Sequence, residues 1–115
     1  MVQEIYIQGR GYRATALYVD GKVVVKAGSQ LKYTDASGFK QNPYAFEKRN
    51  NSEYVSKGVV IKDCDFSSPS TAAQFITGGS RNGYDTWKVR KGYSLGDCLA
   101  DAGIRQRKKR NKESN

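Results

Sequence analysis

The sequence predicts an α+β fold: a hairpin-rich antiparallel sheet packed by two or three helices. Three observations predict it. Glu4-Ile5-Tyr6-Ile7-Gln8 alternates polar and apolar residues, Asp20-Gly21 separates two β-prone runs, and Ser68-Pro69 opens a short run with apolar residues on one face. At 115 residues and 12.8 kDa the chain has room for one small domain. We assign residues 1–104 to that domain and 105–115 to a basic tail.

The elements follow in order. The alternating segment around Ile5 is a strand, and Gly9-Arg10-Gly11 is a turn. Asp-Gly tolerates positive φ at both turn positions, as a two-residue type I′ hairpin requires, so strands are expected at about 12–19 and 22–27. Gly28 and Ser29 end or bulge the second. Residues 34–41 are polar and turn-rich. Asn42-Pro43 then resembles an N-cap with proline at the first helical position, which predicts a helix over 43–57 stopped by Gly58. Asn50, Asn51 and Ser52 oppose a helix interior, and Asn51 offers an alternative cap for a second short helix.

Val59-Val60-Ile61 reads as a short buried strand, ended by Lys62-Asp63-Cys64-Asp65. The sharpest helix signal is residues 67–78. Ser68 accepts a backbone N–H bond as N-cap, and Pro69 loses nothing at a position whose donor would be orphaned anyway. Ala72, Phe75 and Ile76 share a face, and Gly78 stops the helix. Residues 79–83 form a loop, 86–89 a strand, and Ser94 caps a last helix over 95–102, closed by Gly103. From Arg105 onward the sequence is expected to be disordered in isolation.

Composition excludes several chemistries. There is no histidine, so imidazole acid–base catalysis and histidine-ligated zinc are out. Cys64 and Cys98 form no CxxC pair, and we read both as reduced thiols of a cytoplasmic protein. No apolar run approaches the roughly 20 residues of a membrane span, and Met1 to Tyr6 shows no secretion signal.

Charge is the main functional lead. Lys and Arg total 20 against 11 acids, for a net charge of +9. Residues 105–115 carry five of those nine net charges, through Arg105, Arg107, Lys108, Lys109, Arg110 and Lys112 against Glu113. Such a tail favours polyanions, nucleic acid first.

Other features have plain structural readings. Ser68-Pro69-Ser70 reads as a helix cap before a phosphate site. The loop 78–83 lacks the lysine placement of a phosphate-cradling loop. Its Ser80-Arg81-Asn82 segment is nonetheless polar and placed between elements, where Arg suits phosphate or guanine edges and Asn suits adenine. Trp87 reads as core. The eight tyrosines fill a half-wet sheet surface, with Tyr12 and Tyr93 beside basic residues as stacking candidates. Asp63 and Asp65 make a poor cation cage, and a nucleophilic cysteine would need a base or an electropositive pocket, which a chain without histidine does not signal.

Two stretches carry a family resemblance: KVVVKAGSQL, and GVVIKDCDFSSPSTAAQFITGGSRNGYDTWKV. They resemble the domain-of-unknown-function family numbered 4357, through Phe66 to Ser70, Ala72, Ala73, Gly78, Asn82, Gly83, Tyr84, Trp87 and Lys88. The chain departs from that pattern at Tyr84, where Trp is usual, and at Gly79, where a basic residue is usual. The resemblance runs from about Ile5 to Leu95. It implies a DNA-transaction context, because such domains often sit at the C-terminal end of GIY-YIG nuclease-like proteins. A similar domain, associated with restriction enzymes and adenine methylases, has been linked to modified DNA. The GIY-YIG catalytic module is not in this chain, and Gly11-Tyr12 is not its motif.

The expectation is a non-catalytic nucleic-acid-binding accessory domain for double-stranded DNA, with no cofactor and no metal. The expected contacts are Ser80, Arg81, Asn82, Lys88, Arg90 and Lys91, with affinity from Arg105, Arg107, Lys108, Lys109 and Arg110. The alternative is a module that docks onto a nuclease or methyltransferase subunit.

Overall fold

The computed structural model describes residues 1–33, 42–79 and 81–105. Strands β1 (Val2–Gly9) and β2 (Tyr12–Val19) pair antiparallel over their full length, from Val2 opposite Val19 to Gly9 opposite Tyr12. Strand β3 (Lys22–Val25) returns from β2 through Asp20 (φ 48°) and Gly21 (φ 96°), the positive-φ pair that the Asp-Gly signal predicts. It stops at Val25, short of the expected Ala27, because the Ala27 N–H donates to the Asp63 carboxylate (2.8 Å) and leaves the ladder.

The helix expected over 43–57 is shorter: α1 spans Pro43–Arg49. Asn42 caps it, accepting from the Ala45 N–H, and Pro43 opens it. Asn50 ends it, with both its N–H and its Nδ2 on the Phe46 carbonyl. The Asn51 side chain then accepts from the Glu53 N–H and makes a turn, not a second helix. Lys57 (φ 52°) and Gly58 (φ 77°) are the turn of a small hairpin, β4 (Val55–Ser56) and β5 (Val59–Val60). Gly58 is therefore a hairpin residue and not a helix stop. Within the expected strand 59–61 only Val60 is buried; Val59 and Ile61 are exposed.

The segment read as a strand-ending turn contains a strand, β6 (Cys64–Phe66), held by pairing with β3. Helix α2 (Pro69–Thr77) runs as predicted from Ser68 to Gly78, whose φ of 77° is the left-handed C-cap. Beyond it, Gly83 opens a one-turn helix, α3 (Gly83–Thr86), which takes the last residue of the expected loop and the first of the expected strand. Strand β7 (Lys88–Arg90) therefore begins two residues after the expected Thr86. A two-residue strand, β8 (Tyr93–Ser94), leads into α4 (Leu95–Asp101). Ser94 and Asp97 form a reciprocal capping box there.

The main sheet runs β6-β3-β2-β1-β7-β8, with every neighbouring pair antiparallel. Its inner face presents Ile5, Ile7, Ala14, Ala16, Tyr18, Val23, Val25 and Phe66, all buried. Against them lies α2, whose Ala72, Ala73, Phe75 and Ile76 are fully buried. The Phe66 and Phe75 rings meet at 4.8 Å. Both sheet edges are blunted. The Tyr44 hydroxyl donates to the Asp65 carbonyl on β6 (3.1 Å), and β8 is only two residues long.

The C-terminus of α2 is sealed by Arg49. Its Nε donates to the Phe75 carbonyl (2.8 Å), and its Nη2 to the carbonyls of Ile76 (3.0 Å) and Lys32 (2.6 Å). The Phe75 and Ile76 carbonyls are ones that a helix end leaves without intrahelical partners, and the guanidinium fork reaches them together with that of Lys32. Burial pulls the Arg49 pKa down to about 10.

Candidate nucleic-acid interface

The family-like motif builds a junction between α2 and α3. Ser68 Oγ accepts from the Thr71 N–H (3.2 Å), and Ser70 Oγ accepts from the Gly83 N–H (2.9 Å). The fully buried Trp87 donates its indole N–H to the Pro69 carbonyl (3.0 Å). Gly83 is pressed so close that a Cβ there would overlap the Pro69 carbonyl and the Ser70 nitrogen. The N-terminus of α2 is thus covered by protein. Ser68-Pro69-Ser70 is a cap, as expected, with Ser70 committed to Gly83.

Past the junction, Asn82 is exposed and caps α3, its Oδ1 accepting from the Tyr84 N–H (3.0 Å). A bidentate grip on adenine needs that same oxygen, so the cap competes with the base contact expected of Asn82. Arg81 beside it is exposed. Lys88 Nζ folds back onto the Asp85 carbonyl (2.8 Å). Arg90 lies over the Tyr93 ring at 4.0 Å, and the Tyr93 hydroxyl donates to Asp101 (2.5 Å). The Asp101 carboxylate, which the phenol proton bridges, raises the Tyr93 pKa. Lys91 is exposed at the β7–β8 turn. Arg105, just beyond α4, lies over the Tyr84 ring at 3.7 Å, while Gly96 of α4 packs on the backbone of the same tyrosine.

Helices α3 and α4 pack on each other, and both pack on β8. Arg81, Lys88, Arg90, Lys91 and Arg105 therefore belong to one contiguous unit. Residues 81–105 also carry Asp85, Asp97 and Asp101, so five cations against three acids leave the unit at +2; Asp97 accepts in the α4 cap and Asp101 accepts from Tyr93. Two guanidinium groups rest on tyrosine faces, which holds the planes while leaving their edges able to meet phosphate oxygens. Ser80, Arg107, Lys108, Lys109 and Arg110 lie outside the described residues.

A second basic–aromatic group escaped the sequence reading. Lys48 Nζ lies 4.1 Å from the Tyr54 ring centre and 5.2 Å from that of Tyr44, and Lys62 lies 5.3 Å from Tyr54. The one signal in the sequence was the i, i+4 spacing of Tyr44 and Lys48 on α1. Glu53 pairs with Lys62 at 2.9 Å and partly neutralises this group.

Groups that elsewhere do covalent or metal chemistry have structural work here. Cys64 is fully buried, donates to the Lys62 carbonyl (3.2 Å), and has its thiol pushed up to about 11 by burial, which opposes thiolate formation. Cys98 is a buried free thiol whose Sγ donates to Gln3 Oε1 (3.7 Å). Asp63 accepts from the Ala27 N–H, which holds its carboxyl below the usual range, and pairs with Lys26 at 3.5 Å. Among the described residues, no group of three or more Cys, Asp or Glu could hold a metal ion, and no helix is long and apolar enough to cross a membrane.

No curated protein and no solved structure matches the chain. A family model described as a domain of unknown function (DUF4357) matches residues 5–99. That span runs from β1 into α4 and includes the whole α2–α3 junction, so the chain belongs to the DUF4357 family.

Proposed function

We propose that this domain is a non-catalytic nucleic-acid-binding accessory module, and that its polyanion is double-stranded DNA. The observation that carries the reading is the gathering of Arg81, Lys88, Arg90, Lys91 and Arg105 on one unit, with Arg90 and Arg105 stacked on tyrosines. The chain's net charge of +9 adds long-range attraction to it. Backbone phosphates take these cations, and the exposed Arg81 is the residue of this unit set to meet base edges of the duplex. A restriction–modification or nuclease setting fits the family resemblance, and we place the domain in the cytoplasm.

Titrating labelled duplex DNA at several salt concentrations tests this. Five phosphate contacts predict affinity falling with salt at a log–log slope of about −4.5. Absence of binding at low ionic strength overturns the proposal. Equal binding by heparin and duplex overturns its DNA-specific form.

A docking reading is favoured by a different feature, the exposed Val59 and Ile61 at the β4–β5 hairpin. In that case the partner is a nuclease or methyltransferase subunit. Ile61→Asp would then abolish partner capture and leave DNA affinity unchanged; unchanged capture removes this reading.

A further inference from the structure

The sheet face turned away from α2 carries a concavity of about 340 Å³, lined by Glu4, Tyr6, Thr15, Leu17, Lys26 and Val89. That size is at the small end of ligand pockets. Register explains how it forms. Glu4 lies opposite Leu17 and Tyr6 opposite Thr15 on the β1–β2 ladder, so a carboxylate, a phenol, a hydroxyl and an aliphatic side chain share one face. Tyr6 is also the residue of β1 that pairs with Lys88 of β7. The concavity therefore opens beside the strand that carries Lys88 and Arg90.

The polar groups select the occupant. Lys26 at one rim already holds Asp63 at 3.5 Å. The Glu4 carboxylate has no ion-pair or side-chain hydrogen-bond partner among the described residues. A phosphate or carboxylate entering there would meet an unmatched negative charge. A group that donates hydrogen bonds would satisfy it. Tyr6 and Leu17 offer apolar area to a flat ring. Resting on the nucleic-acid reading above, we infer that this concavity takes one unpaired, amine-bearing nucleobase from a strand whose phosphates meet Lys88 and Arg90. The ring lies against Tyr6 and Leu17, and the exocyclic amine donates to Glu4.

The test is fluorescence anisotropy at low salt with four duplexes of one sequence: blunt, with a single cytosine bulge, with a single thymine bulge, and with an abasic bulge. The cytosine bulge should bind about tenfold tighter than the blunt and abasic duplexes. Tyr6→Ala should remove that gain and leave blunt-duplex affinity unchanged, which also shows that the variant folds. Glu4→Gln alters only an exposed side chain, and should erase the preference for cytosine over thymine. Equal affinity for all four duplexes, or a preference indifferent to Glu4→Gln, overturns the inference while the polyanion reading stands. Failure of every duplex to bind overturns the polyanion reading and this inference with it.

Discussion

The α2–α3 junction and the cationic unit beside it come from adjacent stretches of one chain, and they use polar groups in opposite ways. At the junction polar groups are spent on the protein itself: the Ser70 hydroxyl holds the Gly83 N–H, and the Trp87 indole holds the Pro69 carbonyl. On the cationic unit Arg81, Arg90, Lys91 and Arg105 are exposed, and the two stacked arginines are braced by tyrosines. Of the residues that carry the family resemblance, Ser68 to Ser70, Gly83 and Trp87 therefore build the scaffold, while Tyr84 and Lys88 of the same stretch belong to the cationic unit. The residues that would meet a ligand are the ones that motif frames. A distinctive motif marks what the fold cannot lose, and that need not be what touches a partner.

Substitutions can sharpen this contrast, and Gly83→Ala should have the largest effect. Its methyl group has no space against the Pro69 carbonyl, so we expect a loss of at least about 3 kcal/mol in urea unfolding. Gly79→Ala, four residues earlier, meets nothing within 4 Å and should change stability by less than about 0.5 kcal/mol. Comparable losses at both positions would refute the junction account.

Next in size is Trp87→Phe, which leaves the buried Pro69 carbonyl without its donor and opens a small cavity. The expected loss is about 2–3 kcal/mol by the same measurement. Arg49→Met should cost about 2 kcal/mol by releasing the carbonyls of Phe75 and Ile76. It should leave DNA affinity within about twofold, because this arginine is spent on the α2 terminus.

A smaller effect is set by pH. The buried Cys64 thiol titrates at about 11, above its value in an unfolded chain. The folded state then holds one proton more than the unfolded state between about pH 9 and 11, so stability falls as pH rises through that window. Below it the contribution is fully present. Denaturant midpoints measured across this range should fall more steeply for the native chain than for Cys64→Ala. Parallel slopes would contradict the assignment.

Much of the architecture was legible because its signals are local. Asp20-Gly21 fixes its own turn, and Ser68-Pro69 and Ser94 fix their own caps. What stayed hidden depends on partners distant in sequence or on elements too short for a period. Cys64–Phe66 becomes a strand only by pairing with β3, some 40 residues earlier. Helix α3 is a single turn whose first residue is a glycine, and only contact with Pro69 and Ser70 accounts for that glycine. Helix α1 stops early because the Asn50 side chain competes for the Phe46 carbonyl. At the candidate interface, charge could be read from composition. The pairing of Arg105 with Tyr84 could not, because α4 must first fold back onto α3.

The most direct measurement is an amide and side-chain NMR shift map with a short duplex at low salt. The account predicts shifts at Arg81, at residues 88–91, and at Arg105 with Tyr84. It predicts none at the buried Ser70–Gly83–Trp87 contacts or around Arg49. Shifts confined to the Lys48–Tyr54–Lys62 group, with residues 81–91 silent, would contradict it.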